Sequence, residues 1–137
     1  MSFRYFIEEQ APVPGSAARP VRYSACEWVS DDGTVDHQYP LNRFVCSWLT
    51  SDMAELLRCD EVLQMIAQIE DATRQEWFVD GDAFNVDMLA NGVQFNPSTV
   101  GPEDTDWWNL PEGRFALAEV KVLMHAWRDF LAQPVKY

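Results

Sequence analysis

Apolar and polar positions along this chain alternate with two different periods, and the switches between them mark its elements. Residues 3–8 read Phe-Arg-Tyr-Phe-Ile-Glu, an aromatic, β-prone stretch that predicts a first strand. Pro12, Pro14, Gly15 and Pro20 follow and predict a loop, because they interrupt either regular structure. Residues 21–29 predict a second strand, with Val21, Tyr23, Ala25 and Glu27 on one face and Arg22, Ser24, Cys26 and Trp28 on the other. Asp31-Asp32-Gly33 is a turn signal. The run at 43–49, Arg-Phe-Val-Cys-Ser-Trp-Leu, reads equally as a third strand or as the approach to a helix.

The period then lengthens. Met53, Leu56, Leu57, Val62, Leu63, Ile66 and Ile69 fall near helical spacing. Asp52, with Glu55 three positions on, resembles a capping box. Asp60 interrupts the stripe, so the segment is one bent helix or two, with Asp60 as the cap of the second.

Period two returns in a meander: Trp77–Val79, a turn at Asp80-Gly81, Phe84–Met88, a turn at Asn91-Gly92, and Val93–Phe95. Asp-Gly and Asn-Gly favour two-residue hairpin turns because both positions tolerate positive φ. After the loop GPEDTDWWNLPEG, Leu117, Val120, Leu123, Met124, Trp127, Phe130 and Leu131 form one stripe of a terminal helix. Ala118, Lys121, His125 and Arg128 take its other side, and Pro134 limits its end. The expected core is Phe84, Val86, Met88, Val93 and Phe95 against Leu117, Val120, Met124, Trp127 and Leu131. These elements make an α+β fold: an antiparallel meander sheet packed on central helices and a C-terminal amphipathic helix, as a single domain over residues 1–137.

Composition sharpens this picture. Of 137 residues, 47% are hydrophobic and 13% aromatic, enough for a core and too apolar for a disordered chain. No apolar run approaches a membrane span and the N-terminus lacks a signal pattern, so a cytoplasmic location is expected and no membrane partner. The net charge is −12. That balance opposes direct binding to nucleic acid and favours a basic protein partner. Cys26, Cys46 and Cys59 form no metal-type motif and read as reduced, partly buried thiols serving as small apolar residues.

Catalytic chemistry finds little support. Ser24, Ser30, Ser47 and Ser51 lie in no nucleophile elbow. There is no phosphate-binding glycine loop. His125 has no nucleophile or orienting acid near it in sequence. Asp80, Asp82 and Asp87 lack the ligand spacing of a calcium loop and read as hairpin acids facing solvent. Neither an enzyme nor a cofactor or metal is expected. The densest chemistry is instead Glu103, Asp104 and Asp106 followed by Trp107 and Trp108. Tryptophan anchors interfaces and acids steer basic partners. Alternatively one tryptophan plugs the core and the acids form an ordinary solvated loop; neighbouring residues in extended chain point opposite ways, so one tryptophan can be core while the other is exposed. Asp31, Asp32 and Asp36 form a second candidate binding patch.

The stretch FNVDMLANGVQFNP, with GRFALAEVKVLMHAWRDFLAQ after the acidic loop, resembles a layout found among bacterial immunity proteins. There a short meander ends in a Gly-Val strand, here Gly92-Val93. An acidic loop follows, then a final helix with a glutamate near its start and a Trp-x-x-Phe-Leu ending, here Glu119, Trp127, Phe130 and Leu131. The resemblance runs from Phe84 onward, with a looser match before it. It is to immunity proteins of contact-dependent growth inhibition systems. The resemblance implies neutralisation of one cognate toxin domain, often a basic nuclease, by blocking its active site or a nearby surface. It carries over no individual functional residue. Two other classes stay open: an acidic adaptor or nucleic-acid mimic for a basic host protein, and a small enzyme or ligand-binding domain with a pocket formed only by the fold.

Overall fold

The computed structural model describes residues 2–133. Pro134, expected to end the last helix, lies outside the described residues. The fold is α+β, with two antiparallel sheets. Strands β1 (Ser2–Gln10) and β2 (Val21–Val29) pair in a two-stranded ribbon, with Tyr5 opposite Cys26 and Phe3 opposite Trp28. Strands β3 (Glu76–Asp80), β4 (Phe84–Leu89), β5 (Gly92–Pro97) and β6 (Arg114–Phe115) form a second sheet in sequential order. The two-residue β6 is too short to have left a period in the sequence.

The run at 43–49 is helical, not a strand. Leu41–Cys46 winds as π-helical turns that continue directly into α1 (Ser47–Asp52). Phe44, Val45, Cys46, Trp48, Leu49 and Met53 are all buried. Burial on nearly every side erases a helical period. The chain breaks at Met53–Glu55 and restarts as α2 (Leu56–Glu70). Asp60 is therefore no cap. It sits inside α2, where it pairs with Arg128 at 2.8 Å.

Asp52 and Glu55 do not make a capping box. Asp52 ends α1, and its carboxylate accepts the N–H groups of Ala83 and Phe84, each at 3.0 Å. That bond shapes the β3–β4 connection, whose innermost pair is Asp80 with Asn85. The connection is wider than the two-residue turn expected at Asp80-Gly81. A Cβ on Gly81 would lie 2.5 Å from Asp52 Oδ2 and 2.7 Å from the Phe84 carbonyl oxygen, so only glycine fits there unshifted.

The second hairpin is offset by one residue. Leu89 pairs with Gly92, leaving Ala90-Asn91 as the turn. The positive φ falls on Gly92, at +152°. Helix α2 ends with Ala72 at φ +65°, as the Thr73 N–H reaches the Gln68 carbonyl and the Ala72 N–H reaches that of Ile69. This is a Schellman ending with alanine where glycine is usual.

Helix α3 (Leu117–Ala132) lies against α2 and the meander. Its Leu117, Val120, Leu123, Met124 and Trp127 are buried, while Phe130 and Leu131 are partly buried. Lys121 pairs with Glu70 and Arg128 with Asp60, both at 2.8 Å across the α2–α3 seam. The expected core residues of β4 and β5 are buried. Strand β4 alternates buried and half-buried positions, but β5 is buried from Gly92 to Asn96. Gln94 and Asn96, polar residues that alternation assigns to solvent, are covered by the chain that follows.

Candidate functional site

Two surfaces carry the chemistry that the sequence singles out. The first is the loop from Ser98 to Leu110, folded back over β5. Burying Gln94 and Asn96 without partners would cost about 1–3 kcal/mol for each unsatisfied group. The loop supplies those partners. Gln94 Nε2 donates to the Leu110 carbonyl at 3.0 Å. Asn96 and Asn109 exchange two bonds: Asn96 Nδ2 donates to Asn109 Oδ1 at 3.0 Å, and the Asn109 N–H donates to Asn96 Oδ1 at 2.8 Å. Asn109 takes a left-handed φ of +53° to do so, a region asparagine tolerates.

Within that frame the three acids have different work. Asp104 accepts the Gly101 N–H at 2.9 Å, and its carbonyl accepts the N–H groups of Trp107 and Trp108, both at 2.9 Å. Asp104 is thus part of the loop's own scaffold. Glu103 and Asp106 are exposed. Trp107 is 56% exposed, while Trp108 is half-buried. The loop therefore presents one open indole among free carboxylates.

The second surface is built around Asn42, in the π-helical turns. Its Oδ1 accepts the Trp28 N–H at 2.7 Å, and its Nδ2 donates to the carbonyls of Trp28 (3.0 Å) and Asp36 (2.9 Å). One buried amide thus fixes the end of β2 to the segment carrying Asp31, Asp32 and Asp36. Trp28 stacks on Tyr39 with ring centroids 6.3 Å apart and planes 18° apart. Trp28 and Tyr39 line an apolar groove of about 560 Å³ with Phe3, Leu41, Val122, Leu123 and one acid, Glu119. A smaller hollow holds Asp36 beside the same two rings.

Asp32 turns inward on its own loop. It accepts the Ser30 hydroxyl, the Thr34 hydroxyl and the Thr34 N–H. Those bonds, the Ser30 hydroxyl first, hold its carboxyl down at about 2. Asp36 accepts the Gln38 N–H at 3.0 Å. Asp31, Asp32 and Asp36 are all exposed. Of the acids expected at a partner surface, the fold sets Asp36 next to aromatic rings, which sequence spacing did not reveal.

No family model, curated protein or solved structure matches this chain.

Trp28, Tyr39, Asn42 and Val122 were missed by sequence reasoning, since they come from four separate segments of the chain. The only local hint was Asn42 just after Pro40, at a helix start. The net charge of −12 is an excess of acids, and Arg4, Arg22, Arg43, Arg58, Lys121 and Arg128 each sit in an ion pair. Asp80 and Asp82 line an open cleft with Asp52, Glu55 and Arg58. Among the described residues no three histidine, cysteine or acidic side chains are placed to hold a metal ion, and no helix is long and apolar enough to cross a membrane. His125 is exposed on α3. Cys26, Cys46 and Cys59 are free and fully buried rather than partly so.

Proposed function

We propose that this chain is an immunity-type protein, which binds a cognate toxin domain, a basic nuclease, and neutralises it by covering its active site or a nearby surface. The observation that carries the reading is the exposed Trp107, which follows the exposed Glu103 and Asp106 on a loop pinned by Asn96 and Gln94. An exposed indole supplies desolvated contact area on binding, and the loop carboxylates take positions that substrate phosphates occupy in a nuclease. The Trp28–Tyr39 groove with Asp36 and Glu119 offers a second contact area of the same character.

Co-expression with the C-terminal domain encoded by the neighbouring upstream gene tests the proposal. The expected result is a complex that survives size exclusion, with nuclease activity lost at stoichiometric inhibitor. Association should slow as salt rises, because screening shortens the field's reach to about 8 Å at physiological ionic strength. A nuclease that stays fully active in the presence of the folded protein overturns the proposal. Capture of a basic host protein with no toxin domain encoded nearby selects the adaptor reading instead.

A further inference from the structure

The Sγ atoms of Cys26 and Cys46 lie 3.1 Å apart. Cys26 comes from the inner half of β2 and Cys46 from the last π-helical turn, twenty residues later. A disulfide needs a separation of about 2.05 Å, so the sulfurs are roughly one ångström from bonding distance. Cys59 is not part of this pair, since its thiol donates to the Met53 carbonyl at 3.4 Å. Both paired cysteines line a groove of about 300 Å³ with Glu8, Tyr23, His37 and Thr50.

We propose that Cys26 and Cys46 are a dithiol site that closes reversibly to a disulfide by exchange with a small disulfide-bonded thiol compound. One protein thiolate attacks a sulfur of the reagent. A mixed disulfide forms and one reagent thiolate leaves. The second protein thiolate then attacks the protein sulfur of that mixed disulfide and displaces the other reagent thiolate. The protein loses two hydrogens, and the reagent disulfide is reduced to two thiols, so atoms and electrons balance. The hydrogen bond between the thiols, together with burial, pushes the Cys26 thiol well above its ordinary range. Thiolate is therefore scarce and the first attack slow, while the second step is intramolecular with the partner already in contact.

The bond would matter because of what lies between the two positions. Residues 26–46 carry Trp28, Asp31, Asp36, Tyr39 and Asn42. Closure turns the 26–46 part of the second surface into a covalent ring, tied to the helical layer by Cys46 as well as by the Asn42 amide.

The test uses the purified full chain, fully reduced and then incubated with oxidised glutathione. Afterwards it is denatured, alkylated with iodoacetamide and read by intact mass and peptide mapping. The expected product takes up one alkyl group, at Cys59, and yields a linked peptide joining Cys26 to Cys46. Dithiothreitol should restore all three alkylations, and the oxidised form should melt above the reduced one. The Cys59→Ser variant, which leaves the pair intact, should form the same link. Three alkylated cysteines after oxidation, a link through Cys59, or glutathione held on Cys26 or Cys46 without a link would each overturn the proposal.

Discussion

The indole Nε1 of Trp127 on α3 donates to the carbonyl of Met53 at 2.8 Å. Met53 is where the chain leaves α1, with φ −117° and ψ 37°, so its carbonyl has no helical partner. Trp127 fills that need from a different helix. The Cys59 thiol reaches the same oxygen. The α1–α2 break is thus held by α3, and burial of the largest α3 side chain is coupled to the path of a distant loop.

Trp127→Phe keeps much of the ring volume and removes the donor. It should cost about 1–3 kcal/mol, the penalty for a buried acceptor deprived of its main partner. Trp127→Ala should cost about 3–5 kcal/mol, because it also opens a cavity. Urea denaturation of both variants checks this. A Trp127→Phe variant as stable as the parent would show that the hydrogen bond contributes nothing beyond packing.

Asp52 and Gly81 should act as one unit. Asp52→Ala removes a charged acceptor from two backbone N–H groups and should cost about 1.5–3 kcal/mol. Gly81→Ala should destabilise as well, since its methyl would meet Asp52 Oδ2 and the Phe84 carbonyl oxygen. In the Asp52→Ala background the first of those clashes disappears, so the Gly81→Ala cost should shrink. A double-mutant cycle in denaturant measures the coupling.

The two loop tryptophans should separate cleanly. Trp107→Ala should leave stability within about 0.5 kcal/mol, as exposed substitutions do, and weaken partner binding by about 2 kcal/mol or more. Trp108→Ala should lower stability, because that ring is half-buried. Asp104→Ala should loosen the loop, whereas Glu103→Gln and Asp106→Asn should mainly slow association. Denaturation and binding kinetics on the same set of variants distinguish these effects. Unchanged affinity in every loop variant would move the interface to the Trp28–Tyr39 groove.

Ala72→Gly should raise stability by up to about 1 kcal/mol, since a left-handed φ burdens alanine and not glycine. The thermal midpoint reports this directly. A lower midpoint would mean that glycine's freedom in the unfolded chain outweighs the relief of strain.

Two aspartates should respond to acid in opposite senses. Asp32 titrates near 2 when folded, below its unfolded value of about 3.9. Its contribution is present above the unfolded value and is lost as pH falls through about 2. Asp87 is shifted the other way, by burial and then by Glu76. Its charge opposes folding, so stability from this group grows as pH falls through its raised folded value. Carboxyl carbon NMR titration should show Ser30→Ala moving Asp32 upward. Asp87→Asn should be neutral or stabilising at neutral pH, checked by denaturation.

The strongly periodic parts of the chain were legible. β4 and α3 alternate as a half-covered strand and an amphipathic helix must, and the residues named for their core are the ones buried, with Leu131 only partly so. The helix at 41–52 was not legible, because near-complete burial leaves no polar face to set a period. Asp52 was misread because its partners lie at Ala83 and Phe84, far beyond any local spacing rule. Gln94 and Asn96 looked solvent-facing because nothing in β5 announces that a later loop will cover them. The acid-rich loop was visible as composition. Which tryptophan it exposes depended on Asn109 and Asp104, whose bonds no pattern encodes.

Among the described residues the β1–β2 ribbon has no third strand, and its two ends live in different environments. Near Phe3, Tyr5 and Cys26 it packs on the core, whereas Ile7 to Gln10 and Val21 to Tyr23 stand in solvent. A solitary hairpin is marginal in water, so the outer half should open and reclose many times without global unfolding. Its backbone amides should exchange with deuterium early, in a gradient running down the ribbon toward Cys26, where exchange should approach the global limit. The protein thus carries a strand pair that is half reporter of local breathing and half part of the cooperative core.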